Sequence, residues 1–156
     1  MRILIDTNLI ARLAEPDHTD HGAALQAVKG ILARGDEPCV VPQVIYEFWV
    51  VATRPAAANG FGMSARQAQA EIARARKIFS LLRDERAIFQ QWERLVMELD
   101  VKGKKAHDAR LVAAMHRHAL THILTFNAAD FARYPGITAI TPDDLLLRRD
   151  SAGPSH

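Results

Sequence analysis

Residues 2–14 read RILIDTNLIARLA, and the way this stretch divides decides the fold. RILI is a short run of β-favouring residues that stops at Asp6, and DTNLIARLA then takes on helical spacing, with Thr7 or Asn8 available to cap it. The chain therefore opens as strand, acid, helix. Further along, PCVVP at 38–42 reads as a short buried strand bounded by prolines, THILTF at 121–126 as a clear strand and GITAI at 136–140 as another. Helical patterns separate them. Thr19 to Arg34 repeats apolar positions three and four apart with Gly35 just past its end, and QVIYEFWVVATR runs up to Arg54 before Pro55. PAAANGFGM is a loop, and Ser64 with Gln67 makes a capping-box start for a helix reaching about Leu82, a candidate helical arm. Gln90 to Leu99 is helical again, as is Ala106 to Ala119 after the turn VKGKK; Asn127 to Tyr134 is a loop or single helical turn. Thr141, Pro142 and Asp144 supply the cap, first and third positions of a last helix. Short apolar strands separated by helices indicate parallel βαβ units, hence a three-layer α/β/α sandwich with a central, mainly parallel sheet. A single domain over residues 1–147 is expected, with 148–156 as a disordered tail.

The chain has 156 residues, 49% hydrophobic and 24% charged, enough to bury one sizeable core. No segment approaches the roughly 18 consecutive apolar residues that span a bilayer, and Asp6 comes too early for the apolar region of a signal peptide, so a soluble, cytoplasmic protein with no membrane partner is expected. The single Cys39 has no companion for a disulfide or a thiolate cluster and reads as a small core residue in a reducing compartment. A net charge of +2 permits a polyanionic partner without requiring one. Its distribution says more: Lys102, Lys104, Lys105 and Arg110 flank Asp108, whereas Asp143 and Asp144 lie near the carboxyl end.

Three acids stand out against apolar surroundings. Asp6 ends a strand, Glu47 sits between Val44, Phe48 and Val51 on a helix, and KKAHDARLVAAM at 104–115 places Asp108 above Leu111, Val112 and Met115 on one helical face. Singly, each has an ordinary reading: Asp6 as a helix cap, Glu47 as a partner for Lys or Arg, Asp108 as an acid favoured by the helix dipole. Jointly they suggest a site, because the active crevice of an open parallel sheet lies at the carboxyl ends of its strands, where Asp6 and TFNAAD fall. Anions gathered in a partly dry cleft repel, and either take up protons or require a cation between them. Oxygen ligands alone select Mg2+ or Mn2+ over Zn2+, and such an ion suits phosphodiester hydrolysis. The histidines offer no zinc site, since His116 and His118 in HRH diverge by about 200° around a helix. His107 is expected to face solvent, and Trp49, Trp92, Phe48 and Phe79 to pack in the core.

Four segments, ILIDTNLI, VIYEFWVVATRP with Glu47, VKGKKAHDARLVAAM and HILTFNAADFARYPGITAITP, together resemble the PIN domain family, in particular its VapC-type toxin ribonucleases, from Met1 to about Leu147. The resemblance implies a metal-dependent endoribonuclease in which Asp6, Glu47 and Asp108 match the acidic triad and hold Mg2+ or Mn2+. The fourth acidic position departs from the family pattern: Asn127 stands where members commonly carry an acid, and Asp130 lies three residues on. Asn127 can still bind a metal-held water through its amide oxygen, and Asp130 either reaches the site as a further catalytic carboxylate or caps a turn. Thr7, Asn8, Thr125 and Asn127 are expected to hold the carboxylates in position. Arg12, Lys102, Lys104, Lys105 and Arg110, with Arg54, would contact RNA phosphates. The resemblance also implies the toxin of a type II toxin-antitoxin pair, with a small protein antitoxin whose carboxyl-terminal segment occupies the acidic groove, and a homodimer. Two other readings compete. An acid ending the first strand also marks phosphohydrolases of the haloacid dehalogenase type, which carry a second acid two residues later, where this chain has Asn8. A non-catalytic binding domain would instead pair its carboxylates internally with Arg and Lys.

Overall fold

The computed structural model describes residues 1–151. Five strands, β1 (Arg2–Ile5), β2 (Glu37–Val40), β3 (Ser80–Leu81), β4 (His122–Leu124) and β5 (Thr138–Ile140), form one sheet in the order β3-β2-β1-β4-β5, every neighbouring pair parallel. The central β1 aligns Leu4 with Cys39 on one side and with Ile123 on the other. Ile3, Leu4 and Ile5 are all fully buried. Successive strand residues point to opposite faces, so both faces are covered and the expected three-layer α/β/α sandwich results.

Among the described residues, six α-helices make the crossovers that the parallel strands β1 to β4 require: α1 (Thr7–Leu13), α2 (His21–Ala33), α3 (Pro42–Thr53), α4 (Ala65–Ile78), α5 (Arg86–Glu98) and α6 (Lys105–Arg117). A 3-10 turn at Ala128–Phe131 lies between β4 and β5, and α7 (Pro142–Ser151) follows β5. α1 packs on α2 and α3, α2 on α7, and α5 on α6. In α6, Ala109, Ala113 and Ala114 are buried beside Leu111, Val112 and Met115. The alanines allow close approach, while the three larger side chains contribute roughly 1.5–3 kcal/mol each by leaving water. This anchors the helix that carries Asp108. β1 and β4 are neighbours whose onward connections lead to opposite sides of the sheet, toward β2 and β5. That divergence opens a crevice beyond their carboxyl ends.

Several local expectations need correction. The cap of α1 is not Thr7 or Asn8 but Asp6, in keeping with the ordinary reading of that acid: its side chain accepts from the Thr7 N–H. The capping box of α4 forms as read, but the helix ends at Ile78 rather than near Leu82. Ser80 and Leu81 leave it to pair with Cys39 and Val40, and the Leu82 N–H donates to the Val40 carbonyl at 2.8 Å. A strand of two residues carries too short a pattern to be seen in sequence. Instead of standing off as an arm, α4 seats Ala68 and Ala75 in the core and packs on α3. α5 begins at Arg86, before Gln90, and Trp49 is 37% exposed on α3 rather than in the core. Phe48 and Phe79 are buried as expected, and Trp92 is half-buried with its indole N–H donating to the Ala106 carbonyl at 2.8 Å. Cys39 is buried, its thiol pushed up to about 11 chiefly by burial. α7 continues to Ser151, beyond the boundary expected at 147, and residues 152–156 of the expected tail lie outside the described residues.

After α3 the chain turns sharply through a 3-10 turn at Ala56–Ala58. The Gly60 N–H donates to the Pro55 carbonyl at 3.0 Å and the Gly62 N–H to the Arg54 carbonyl at 2.9 Å. A Cβ at Gly60 would stand 2.0 Å from that Arg54 carbonyl oxygen, so only glycine fits this close approach of two backbones. Gly60→Ala is expected to cost about 1–3 kcal/mol and to lower the thermal midpoint by several degrees. An unchanged midpoint in calorimetry would show that the loop can open at no cost.

Candidate active site

The site begins where β1 runs out. The Asp6 N–H donates to the Leu124 carbonyl at 3.0 Å, which extends the β1–β4 ladder by one step and fixes the backbone of the acid. Its Oδ1 accepts from the Thr7 N–H at 2.7 Å, and Oδ2 accepts from the Thr125 hydroxyl at 2.8 Å and from Asn8 Nδ2 at 3.4 Å. Thr125 is fully buried, and its hydroxyl oxygen accepts from Asn8 Nδ2 at 3.2 Å and from the Asn127 N–H at 3.0 Å. The Asn8 side-chain oxygen accepts from the Phe126 N–H at 3.2 Å. Asn8 and Thr125 thus join the start of α1 to the end of β4 around one carboxylate.

Glu47 arrives from α3. Its Oε2 accepts from the Thr7 hydroxyl at 2.9 Å and its Oε1 from Gln43 Nε2 at 2.7 Å. Asp108 stands in the first turn of α6, where the helix N-terminus favours an anion. The carboxylates feel one another. Asp6 is pushed up to about 6, mainly by burial, against the pull of its bonds to Thr125 and Thr7 and with added repulsion from Glu47 and Asp108. Asp108 is raised by burial and by the carboxylates of Asp130 and Glu47, with Lys105 and His107 acting in the opposite sense. Asp130 pairs with Lys105 at 2.6 Å. Asp6, Asp108, Asn127, Asp130, Arg12 and Arg54 line one open cleft of about 570 Å³, and Thr7, which holds Glu47, lines it too.

The basic residues divide. Arg12 pairs with Glu15 in the cleft wall, Lys102 pairs with Asp100 at 3.2 Å on the surface, and Lys104 is exposed at the start of α6. Arg54 donates to the Asn59 carbonyl at 3.1 Å, and its Nε is buried with no hydrogen-bond partner among the described residues. Arg110 turns inward, donating to Gln43 Oε1 at 3.1 Å and to Asp84 at 3.3 Å. Gln43, 6% exposed, is the contact that sequence reasoning missed. Its position four residues before Glu47 is the spacing at which helical side chains meet, and was the available signal.

The donor set around Asp6 is all oxygen, and neither Asp6, Glu47 nor Asp108 forms a salt bridge among the described residues. Mutually repelling carboxylates without an ion-pair partner fit a hard divalent cation. No three His, Cys, Asp or Glu side chains among the described residues are close enough together to hold one ion as a set. A divalent ion held there would be held by one or two carboxylates and would keep much of its water.

The PIN domain family model matches residues 3–137. The chain belongs to the PIN domain family. Among solved PIN-fold structures it is similar to VapBC2 from Rickettsia felis bound to a promoter DNA fragment, at 14% identity and a TM-score of 0.68 over 90% of this chain and 98% of that one. A toxin-antitoxin complex from Klebsiella pneumoniae matches at 24% identity and a TM-score of 0.62, over 90% and 97%. VapC20 from Mycobacterium tuberculosis, a sarcin-ricin loop cleaving toxin, matches at 21% identity and a TM-score of 0.60, over 85% and 95%. At these identities the likeness establishes the PIN fold. No curated protein matches by sequence.

The raised pKa of Asp6 has a sign that can be measured. Its folded value of about 6 lies above the ordinary 3.8, so the folded PIN domain binds this proton more tightly than the unfolded chain does. The stabilisation is complete below about pH 4 and lost as pH rises through about 6. Asp36 and Asp144 are lowered and act in the reverse sense below that window. His116, lowered by burial, acts in the reverse sense within it, and Asp108, also raised, adds to the loss. The contribution of Asp6 is therefore read from the difference between wild type and Asp6→Asn. Chelator-treated protein is expected to lose roughly 3 kcal/mol from this group between pH 4 and 7, and Asp6→Asn to flatten the slope in thermal melts. Identical slopes for the two proteins would contradict the burial of an ionisable Asp6.

Proposed function

We propose that this PIN domain is an endoribonuclease dependent on Mg2+ or Mn2+, and the toxin of a type II toxin-antitoxin pair. The observation that carries the reading is the mutual repulsion of Asp6, Glu47 and Asp108, which come from a strand end and two helices, with Asp6 and Asp108 lining one cleft and Thr7, the partner of Glu47, beside them. These three would hold the ion directly or through water, with Asp130 or Asn127 completing the set. Bound there, a divalent ion supplies a Lewis acid that activates water and offsets charge on a leaving oxygen. Thr125, Thr7 and Asn8 keep the carboxylates aimed into the cleft, and the open groove leaves room for a polynucleotide. Arg12, Arg54, Lys102 and Lys104 would meet its phosphates, while Lys105 would have to leave Asp130 to do so.

An RNA substrate and a protein antitoxin are supported by the solved neighbours, one a sarcin-ricin loop cleaving toxin and others toxin-antitoxin complexes. A homodimer is supported by Tyr46, Trp49 and Val50, exposed at 64%, 37% and 55% on α3, three and four residues apart on one face. No helix among the described residues is long and apolar enough to cross a membrane, and the reading carries a cytoplasmic site of action. The phosphohydrolase alternative is disfavoured because Asn8 supplies an amide, bonded to Thr125 and Phe126, where a second acid is needed. A purely structural role would leave the three acids paired with Lys or Arg, and they are not.

Asp108→Asn is expected to reduce Mg2+- or Mn2+-dependent cleavage of RNA by more than about 100-fold with the fold intact by circular dichroism; unaltered cleavage would overturn the assignment. Using Asp108→Asn as an inert RNA binder, Arg12→Ala and Lys104→Ala should each weaken binding and reduce the salt slope by about one. A slope unmoved by both would remove these residues from the phosphate path.

A further inference from the structure

We propose that Gln43 is a positioning residue for the acidic site, tying Glu47 on α3 to the backbone just before Asp108 on α6, with Arg110 as its anchor. The inference rests on the nuclease reading for its activity readout and on geometry for the rest. Gln43 Nε2 donates to Glu47 Oε1 at 2.7 Å and to the His107 carbonyl at 2.8 Å, while its Oε1 accepts from Arg110 at 3.1 Å. Both amide protons and one oxygen lone pair are thus used, in a side chain that is 6% exposed.

The amide can point only one way. Rotated by 180°, its oxygen would face a carboxylate and a carbonyl, and its NH2 would face a guanidinium, so that every contact would repel. Its dipole is also aligned, with the positive end on the Glu47 carboxylate and the negative end on the Arg110 cation. Arg110 is held in turn by Asp84 at 3.3 Å. The planar fork of an arginine reaches both partners; a lysine offers one point charge. Arg110 therefore acts on the site through Gln43.

The arrangement meets a definite need. Glu47 and Asp108 repel each other and come from different helices, so their separation must be set by something other than their own attraction. The Gln43 amide sets it, since Glu47 Oε1 and the carbonyl of residue 107 accept from the same nitrogen.

Gln43→Met keeps the length and bulk of the side chain and removes all three hydrogen bonds. In calorimetry on metal-free protein, Mn2+ affinity is expected to fall about 10–100-fold relative to wild type. In RNA cleavage, kcat should fall by a similar factor with KM unchanged, and Arg110→Lys should show the same pattern more weakly. Wild-type Mn2+ affinity and kcat in Gln43→Met, whatever its melting midpoint, would overturn the proposal. Should wild type neither bind Mn2+ nor cleave RNA, the nuclease reading fails, and metal-free melting decides the role of Gln43 separately. The midpoint shift caused by Gln43→Met is then expected to be about 2–4 °C smaller in a Glu47→Ala background than in wild type; equal shifts in both backgrounds would overturn it.

Discussion

A half-buried ionisable carboxylate at the seam between β1 and β4 is the constraint from which the cleft follows. Asp6 receives an N–H at 2.7 Å and a hydroxyl at 2.8 Å, each of which favours the anion. Burial and neighbouring carboxylates nevertheless win, and its pKa rises to about 6. The site is thus built to hold more negative charge than its own donors offset. A domain can tolerate that only where the rest of the core is secure, and the flanking Ile3, Leu4, Ile5, Ile123 and Leu124 are all fully buried. Packing stabilises the fold; electrostatics at the strand ends works against it.

Asp6 and Asp130 share the cleft wall under different conditions. Asp6 is half-buried and without an ion pair among the described residues, whereas Asp130 is held by an exposed lysine at 2.6 Å. An ion pair in solvent contributes about 1 kcal/mol or less. Asp130 can therefore be released from Lys105 at small cost, while the position of Asp6 is fixed by the same backbone bonds that make the sheet.

Where the sequence pattern was long, it sufficed. Apolar strands alternating with helices led to the parallel sheet, and the capping signals at Ser64 and Thr141 form as written, with Gln67 and Asp144 returning their bonds. The three acids were visible because charge on an apolar face needs an explanation. What could not be read depends on partners distant in the chain. β3 exists only because Cys39 and Val40 present an open edge, Gln43 gains its meaning from His107 and Arg110, 64 and 67 residues away, and Trp49 reads as core until α3 is seen to leave that side uncovered. Whether Arg110 faces a phosphate or its own protein is likewise decided by Gln43 and Asp84, not by local composition.

The order of strands also sets when the cleft can exist. Asp6 and Glu47 lie in the first third of the chain, but Asp108 begins α6, and Thr125, whose hydroxyl holds Asp6, follows β4, the strand that closes the other flank of β1. A polypeptide emerging from the ribosome as far as α5 has β1, β2 and β3 but an open edge where β4 belongs. It lacks the hydroxyl, the third acid and half the crevice wall. The acidic cleft is therefore complete only once α6 and β4 have been added to the first half of the sheet.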